Sequence, residues 1–323
     1  MKLFRSTILF LLLSYSTGNF AQVFIQTKLP DTLSKVPDTL SNWTKKNTLG
    51  FDISEIAFVN WSAGGTSSIS GLFKGDFSRV YAKGNRKWVN QLIVRYGLNK
   101  QDGIEMRKTD DAIQFDSTFG YRQDTITNWY HSAKFNFNTQ FTNGYSYPNT
   151  ELAISRPFAP AYFFMGVGAE NAKKDKSRVF YISPFTWKTT LVLDQRLADQ
   201  GSFGVKKAEY DVEGNLISEG QKSKMELGLL LTGFYKTEIS KNINFVNKLS
   251  LYSDYINQFG NVDIDYDVLF DLVVNQYVKA NIGARLIYDD DIKAKEEVDG
   301  EQVIVGPKAQ LKQVLGVGIV YAF

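Results

Sequence analysis

The chain closes on KQVLGVGIVYAF, residues 312–323. Leu315, Val317, Ile319, Tyr321 and Phe323 share one parity, and Gly316, Gly318, Val320 and Ala322 share the other. Side chains along a β-strand point to alternate faces, so this run has one broad apolar face and one face of small residues. An apolar strand that ends the chain on an aromatic ring has a place in a sheet that closes on itself.

The same period of two recurs upstream. In WYHSAKFNFNTQFT, Ala133, Phe135, Phe137 and Phe141 alternate with Ser132, Lys134, Asn136, Asn138 and Gln140. In KMELGLLLTGFYKTEI, Met225, Leu227, Leu229, Leu231 and Tyr235 stand against Glu226, Lys236 and Glu238. In NVDIDYDVLFDLVV, Val262, Ile264, Tyr266, Val268, Phe270 and Leu272 oppose Asp263, Asp265, Asp267 and Asp271. Acids at every second place scatter around a helix but line one face of a strand. Counting back from Phe323 places strands near 311–323, 277–288, 262–274, 243–256, 224–239, 184–195, 161–171, 129–142, 112–121, 88–98, 67–81 and 49–61.

That is about twelve strands, an even number, as a single-chain bacterial barrel requires. After the first residues no stretch of about 18 apolar residues occurs, so helical spans are excluded and a closed sheet is the remaining way to cross a bilayer. The expected fold is an all-β, transmembrane, antiparallel up-and-down barrel over 48–323. Short connections are expected at 82–87, 122–128, 240–242 and 275–277, and longer ones at 99–111, 143–160, 196–223 and 289–310. The two classes fall at opposite ends if the last strand runs toward the periplasm. Residues 172–179 are a longish connection on the short-turn side. A soluble β-sandwich is the competing architecture.

MKLFRSTILFLLLSYSTGNFAQ begins the chain with Lys2, Arg5 and a short apolar run from Ile8 to Leu13. This pattern reads as a cleaved secretory signal peptide over 1–21. Residues 22–47, with Pro-Asp-Thr-Leu at 30–33 and again at 37–40, read as a flexible periplasmic lead-in. Removing 1–21 takes Lys2 and Arg5 and no acid, leaving 35 cations against 34 anions. So even a balance gives no electrostatic case for nucleic acid. One His and no Cys leave little for a transition-metal site. Gly-rich pieces such as GGTSSISG lack the Gly-Lys-Ser/Thr ending of a phosphate loop, so no cofactor and no metal are expected.

Tyr81, Trp88, Tyr121, Trp129 and Tyr321 fall at the periplasmic ends of strands on the lipid-facing parity, where an interfacial girdle belongs. The lumen parity carries charges of both signs, among them Lys248, Asp263, Asp265, Asp267, Asp271, Lys279 and Arg285. A three-residue turn, Asn275 to Tyr277, sets Asp267 opposite Arg285, with Lys248 expected diagonal to Asp267, so a salt-bridged belt is expected. Such a belt can line a pore or pack it shut. Arg107, Lys108, Asp110 and Asp111 are expected in an outer loop, as loop-folding ion pairs rather than a lipopolysaccharide contact or a Ca²⁺ loop. Asp289-Asp290-Asp291 with Glu296-Glu297 reads as a solvated acidic loop.

His131 decides the enzyme question. Outer-membrane phospholipases pair a His with a Ser two residues on, but residue 133 is Ala, and omptin-like proteases need His and Asp at the outer rim. His131 lies near the periplasmic end on the lipid side, as a girdle residue, and no enzyme is expected.

Two resemblances add to this. The terminal strand with Tyr321 and Phe323 resembles the C-terminal signal read by the barrel-assembly machinery. Trp61-Ser62-Ala63-Gly64-Gly65, Arg107-Lys108-Thr109-Asp110-Asp111, FNTQFTNGY from Phe137, Phe158-Ala159-Pro160-Ala161, Ser183-Pro184 with Trp187-Lys188, and GSFGV from Gly201 resemble an uncharacterised outer-membrane barrel family of Bacteroidota, a domain of unknown function, over roughly 43–323. That resemblance implies a fold and an outer-membrane location, with lipid and lipopolysaccharide as surroundings, and no catalytic residue. Porin-like passage of small solutes through a charged lumen is the leading expectation, and a closed accessory barrel acting through its loops or partner proteins is the alternative.

Overall fold

The computed structural model describes residues 42–57, 66–256, 259–290, 292–298 and 301–323. The signal peptide over 1–21, the lead-in up to 41 and Trp61 to Gly65 lie outside them. Twelve strands form one closed antiparallel barrel: β1 Trp43–Ile56, β2 Ser68–Lys83, β3 Arg86–Gln101, β4 Ile104–Tyr121, β5 Trp129–Thr139, β6 Ala161–Ala172, β7 Arg178–Leu191, β8 Ser223–Ser240, β9 Ile243–Asp254, β10 Asp263–Val273, β11 Val278–Tyr288 and β12 Gln310–Ala322. Each strand pairs with its sequence neighbours, and β1 closes on β12. The closure extends to the last residue, because Asn47 N–H donates to Phe323 O (3.1 Å) and Phe323 N–H to Asn47 O (3.0 Å).

The accessible surface is turned inside out relative to a soluble sandwich. Leu315 and Met165 are 75% and 62% exposed on the outer face, whereas Asn136 and Thr186 on the inner face are 0% exposed. Only a lipid solvent makes that distribution favourable, since apolar exterior surface then loses no contact with water. Trp88, Tyr121, Trp129 and Tyr321 are exposed at the short-turn end of the barrel, and Tyr81 joins them through Trp43, whose ring lies 5.3 Å from Tyr81 and 5.9 Å from Trp88. His131 is exposed on the same outer parity, opposite Tyr121.

Three boundaries differ from expectation. β1 begins at Trp43, so 43–47 of the expected lead-in belong to the barrel wall. β3 and β4 continue as a tall hairpin around Asp102 and Gly103, the latter at φ 76°, so the expected loop 99–111 is mostly strand. β7 begins at Arg178, which shortens the connection expected over 172–179 to 173–177. The last difference has a local cause. Pro184 has no N–H for a ladder and sits in a bulge, where β6 pairs Val167 with Phe185 but Ala169 with Ile182. The extra residue reverses parity, so Thr186 and Lys188 point inward below the bulge and Ser183 and Tyr181 point inward above it; Thr186 Oγ1 lies 2.8 Å from Ser183 Oγ. Read by period alone, the strand stops at Pro184.

Gly168 faces this bulge at close quarters: a Cβ there would stand 1.9 Å from the Ile182 carbonyl oxygen. Gly168→Ala is therefore expected to destabilise the barrel by about 1–3 kcal/mol or more. The check is the fraction that stays compact on unheated gels after refolding into micelles, and wild-type behaviour would count against the bulge.

Candidate functional site

The inward residues of β4 to β9 build a dense polar interior. Asn136 Nδ2 (β5) and Gln114 Nε2 (β4) donate to the two oxygens of Asp116, at 2.7 and 2.9 Å. Glu170 (β6) is gripped by Lys87 from β3 and by Lys134 from β5 at 3.1 Å. Lys134 also lies 4.2 Å from the Tyr181 ring centroid. Lys188 (β7) bridges Glu226 at 3.3 Å and Asp263, three strands along on β10, at 3.0 Å, and stands 4.9 Å from the Tyr252 ring centroid. Buried ions need such partners, because the cost of desolvation is offset only when each charge is matched. A cavity of about 40 Å³ remains between these walls, lined by Asp116, Lys134, Thr232, Lys248 and Ser250 among others.

The residues of the expected belt share the lumen and differ from expectation in two pairings. Asp267 registers with Arg285, as the three-residue turn required, but Arg285 forks onto Asp265: Nε donates to Oδ1 at 2.9 Å and Nη2 to Oδ2 at 2.6 Å. The diagonal wins because strand twist brings it within reach of a long guanidinium. Lys248 stands directly opposite Asp267 rather than diagonal to it. Asp271 pairs with Lys279 at 3.6 Å, and Asp263 with Lys188.

The four outer residues lie on β4, not in a loop. Asp110 turns into the lumen mouth and meets Arg95 at 3.5 Å and Lys312, from β12, at 3.3 Å. Asp111 is fully buried and accepts Lys108 Nζ (3.0 Å), Phe141 N–H (3.0 Å) and Thr142 N–H (2.8 Å). Arg107 stacks over the Tyr147 ring at 5.1 Å, and the Tyr147 hydroxyl accepts from Lys108 N–H. The ion pairs fold the outer surface, and both Asp111 oxygens are occupied by donors. Asp110, Asp52 and Lys87 are lumen residues that the sequence reading left out of the belt; parity alone would have supplied Asp52, which pairs with Lys74.

Beyond β5 and β7 the connections fold into a cap with its own small core of Ala159, Val192, Leu197, Ala198, Phe203 and Val205. Asp194 caps the helix α1, Gln195–Asp199, by accepting Leu197 N–H, and pairs with Arg156 at 2.8 Å. It stands in the cap, beyond the barrel wall. Asp199 accepts from Gln195 Nε2 at 2.7 Å and Gly220 N–H at 2.8 Å. Those two bonds hold its carboxyl below the ordinary value of 3.8.

A family profile described as "Protein of unknown function (DUF3078)" matches residues 53–145, which include β2 to β5. No curated protein matches the chain. Among solved structures, an outer membrane channel of Pseudomonas putida F1 superposes with a TM-score of 0.40 and 11% identity over 86% of this chain and 95% of that one. The translocator domain of the autotransporter NalP from Neisseria meningitidis gives 0.36 and 9%, over 86% and 88%. The NanC porin gives 0.35 and 11%, over 86% and 97%.

Two outcomes follow from the outer half. Asp111→Ala strands one ammonium and two backbone N–H groups, and is expected to cost about 3 kcal/mol in urea unfolding from micelles; a loss indistinguishable from zero would contradict the buried hub. Asp199 binds fewer protons folded than unfolded, so its contribution is present above the ordinary aspartate range and is lost as pH falls through its lowered value. Amide protection across 195–220, corrected for the intrinsic exchange rate at each pH, should therefore fall at pH 3 relative to pH 7, and fall less in Asp199→Asn.

Proposed function

We propose that the chain is a bacterial outer-membrane barrel, exported by its N-terminal signal peptide, inserted by the barrel-assembly machinery and surrounded by lipid and lipopolysaccharide, that forms a narrow route for small solutes. The source we infer is a Gram-negative bacterium of the Bacteroidota. The single observation that carries the channel reading is the uneven filling of the lumen. On the β7–β8 side the side chains of Lys188 and Glu226 keep 7% and 2% of their accessibility, whereas Lys74 on β2 and Lys312 on β12 keep 32% and 50%. On the open side Gly50 on β1 and Gly316 on β12 have nothing closer than 3.5 Å to where a Cβ would stand, whereas on the filled side a Cβ at Gly166 would stand 2.6 Å from Thr186 Oγ1. A path there would run between charges of both signs, which favours hydrated solutes of modest size. We read the protein as non-enzymatic, with His131 on the outer face and the buried carboxylates committed to ion pairs and amide donors.

The packed wall from β4 to β9 favours a second reading, a closed barrel that acts through its outer cap or through partners. Planar-bilayer recording of the full chain separates the two. The channel reading expects discrete openings, a severalfold smaller conductance in Gly316→Phe, and a changed cation-to-anion preference in Lys74→Glu. Silence at every voltage and salt concentration would leave the closed barrel.

A further inference from the structure

The outer face of the barrel carries a groove of about 440 Å³ across β3 to β6, apolar in all its lining residues and walled by five phenylalanine rings. That volume is in the range of sites built for small ligands. Phe115, Phe137 and Phe163 are successive partners on one rung of β4, β5 and β6. Phe137 stands 4.8 Å from Phe163, and Phe135, two residues nearer the aromatic girdle, stands 6.3 Å from Phe115 and 6.4 Å from Phe163.

The fifth ring comes from outside the wall. Phe158 sits on a turn closed by Arg156 N–H to Ala159 O (2.8 Å) and Ala159 N–H to Arg156 O (2.9 Å). Its φ is 56°, a left-handed conformation that a phenylalanine rarely adopts. Its N–H donates to Thr139 Oγ1 at 3.2 Å, Leu193 N–H donates to its carbonyl at 3.1 Å, and Ala159 beside it is buried in the core of the cap. So constrained, the ring lies 6.2 Å from Phe137 and stays 45% exposed at the loop end of the groove. Backbone outliers held this firmly cluster at ligand clamps.

Depth decides what the groove meets. β5 starts at Trp129, in the girdle, and ends at Thr139, to which Phe158 is tied. A strand that rises about 3.3 Å per residue and tilts about 40° climbs about 25 Å over that length, the height of the apolar band. The groove therefore faces hydrocarbon in the half of the bilayer nearer the long connections, and its upper end reaches the headgroups. On the same turn, the Arg156 side chain is 47% exposed and pairs with Asp194 through Nη1 at 2.8 Å, which leaves donors of its fork for a phosphate.

We propose that this groove seats one acyl chain of a lipopolysaccharide molecule, with Phe158 clamped over the chain and Arg156 on a phosphate of the headgroup. The seat rests on the outer-membrane reading above, with the long connections facing outward, and does not depend on conduction.

The experiment is native mass spectrometry of the full-length protein, refolded in nonionic micelles and titrated with lipopolysaccharide, with its dephosphorylated form and with phosphatidylethanolamine. Wild type is expected to retain one lipopolysaccharide in preference to either of the others. Phe158→Gly removes the ring and suits the left-handed backbone, so it should resist urea at least as well as wild type. It should nevertheless hold lipopolysaccharide about tenfold more weakly, as one aromatic contact is lost. A purely structural role for Phe158 would not separate the two readouts. Arg156→Gln should weaken lipopolysaccharide and leave the dephosphorylated form unchanged, and Leu315→Ala, on the outer face of β12, should alter neither. Equal retention of all three lipids, undiminished retention in Phe158→Gly or Arg156→Gln, or a dimer in place of bound lipid would overturn the proposal. Lipid held by a protein silent in bilayers would uphold the seat while removing the channel. Cell fractionation tests location by itself, and recovery outside the outer membrane would remove that reading whatever the micelles show.

Discussion

Inside a bilayer there is no water to satisfy a backbone N–H, so a spanning sheet must close. In this chain closure falls on the pairing of β1 with β12, from Ile53 opposite Val317 to Thr48 opposite Ala322, and it is completed by the two hydrogen bonds between Asn47 and Phe323. The seam requires close approach as well as register. Gly318 lies against the Phe51 carbonyl oxygen, 2.7 Å from where a Cβ would stand. The terminal alternation of large and small residues is therefore one device with two uses. Large side chains contact lipid outside, and small ones let the two ends of the chain meet inside.

Closure turns a ribbon's polar face into a confined interior, and confinement changes what its charges must do. A lysine on an open sheet is solvated, but Lys188 inside the cylinder is matched to acids from two other strands. Matching fills space, so hubs at Glu170 and Lys188 together with Tyr181, Leu230 and Tyr252 make the β4–β9 wall thick. On the opposite wall space is left around Gly50 and Gly316, and that side stays thin. Unequal filling of this kind sets the internal shape of a barrel of fixed strand number, because strand count fixes the diameter and side-chain volume decides what remains.

The architecture was legible because lipid-facing and lumen-facing residues differ so sharply in polarity. Where that contrast held, as in 262–274 and 311–323, strand ends came within a residue or two of β10 and β12. It failed where geometry departs from period two. Pro184 and its bulge reverse parity inside β7, and no pattern search with a fixed period follows a strand through such a reversal. Trp43 eludes the pattern for a different reason: Lys45, Lys46 and Asn47 are polar on both parities, and their place in a strand comes from pairing with Arg79, Ser78 and Phe77 on β2. The tall hairpin of β3 and β4 likewise leaves the apolar band, so its residues carry no lipid signal.

Site residues were legible as a set and not as pairs. Parity put Lys248, Asp265, Asp267 and Arg285 on one face, and register put Asp267 beside Arg285. Choosing Asp265 as the partner depended on twist and side-chain length, which neither rule contains. Contacts across the cylinder are harder still. Lys312 and Asp110 lie 202 positions apart and on no common ladder, and what brings them to 3.3 Å is the closed order of twelve strands together with the register of each. A pair that spans the lumen in this way appears only once the last strand has met the first.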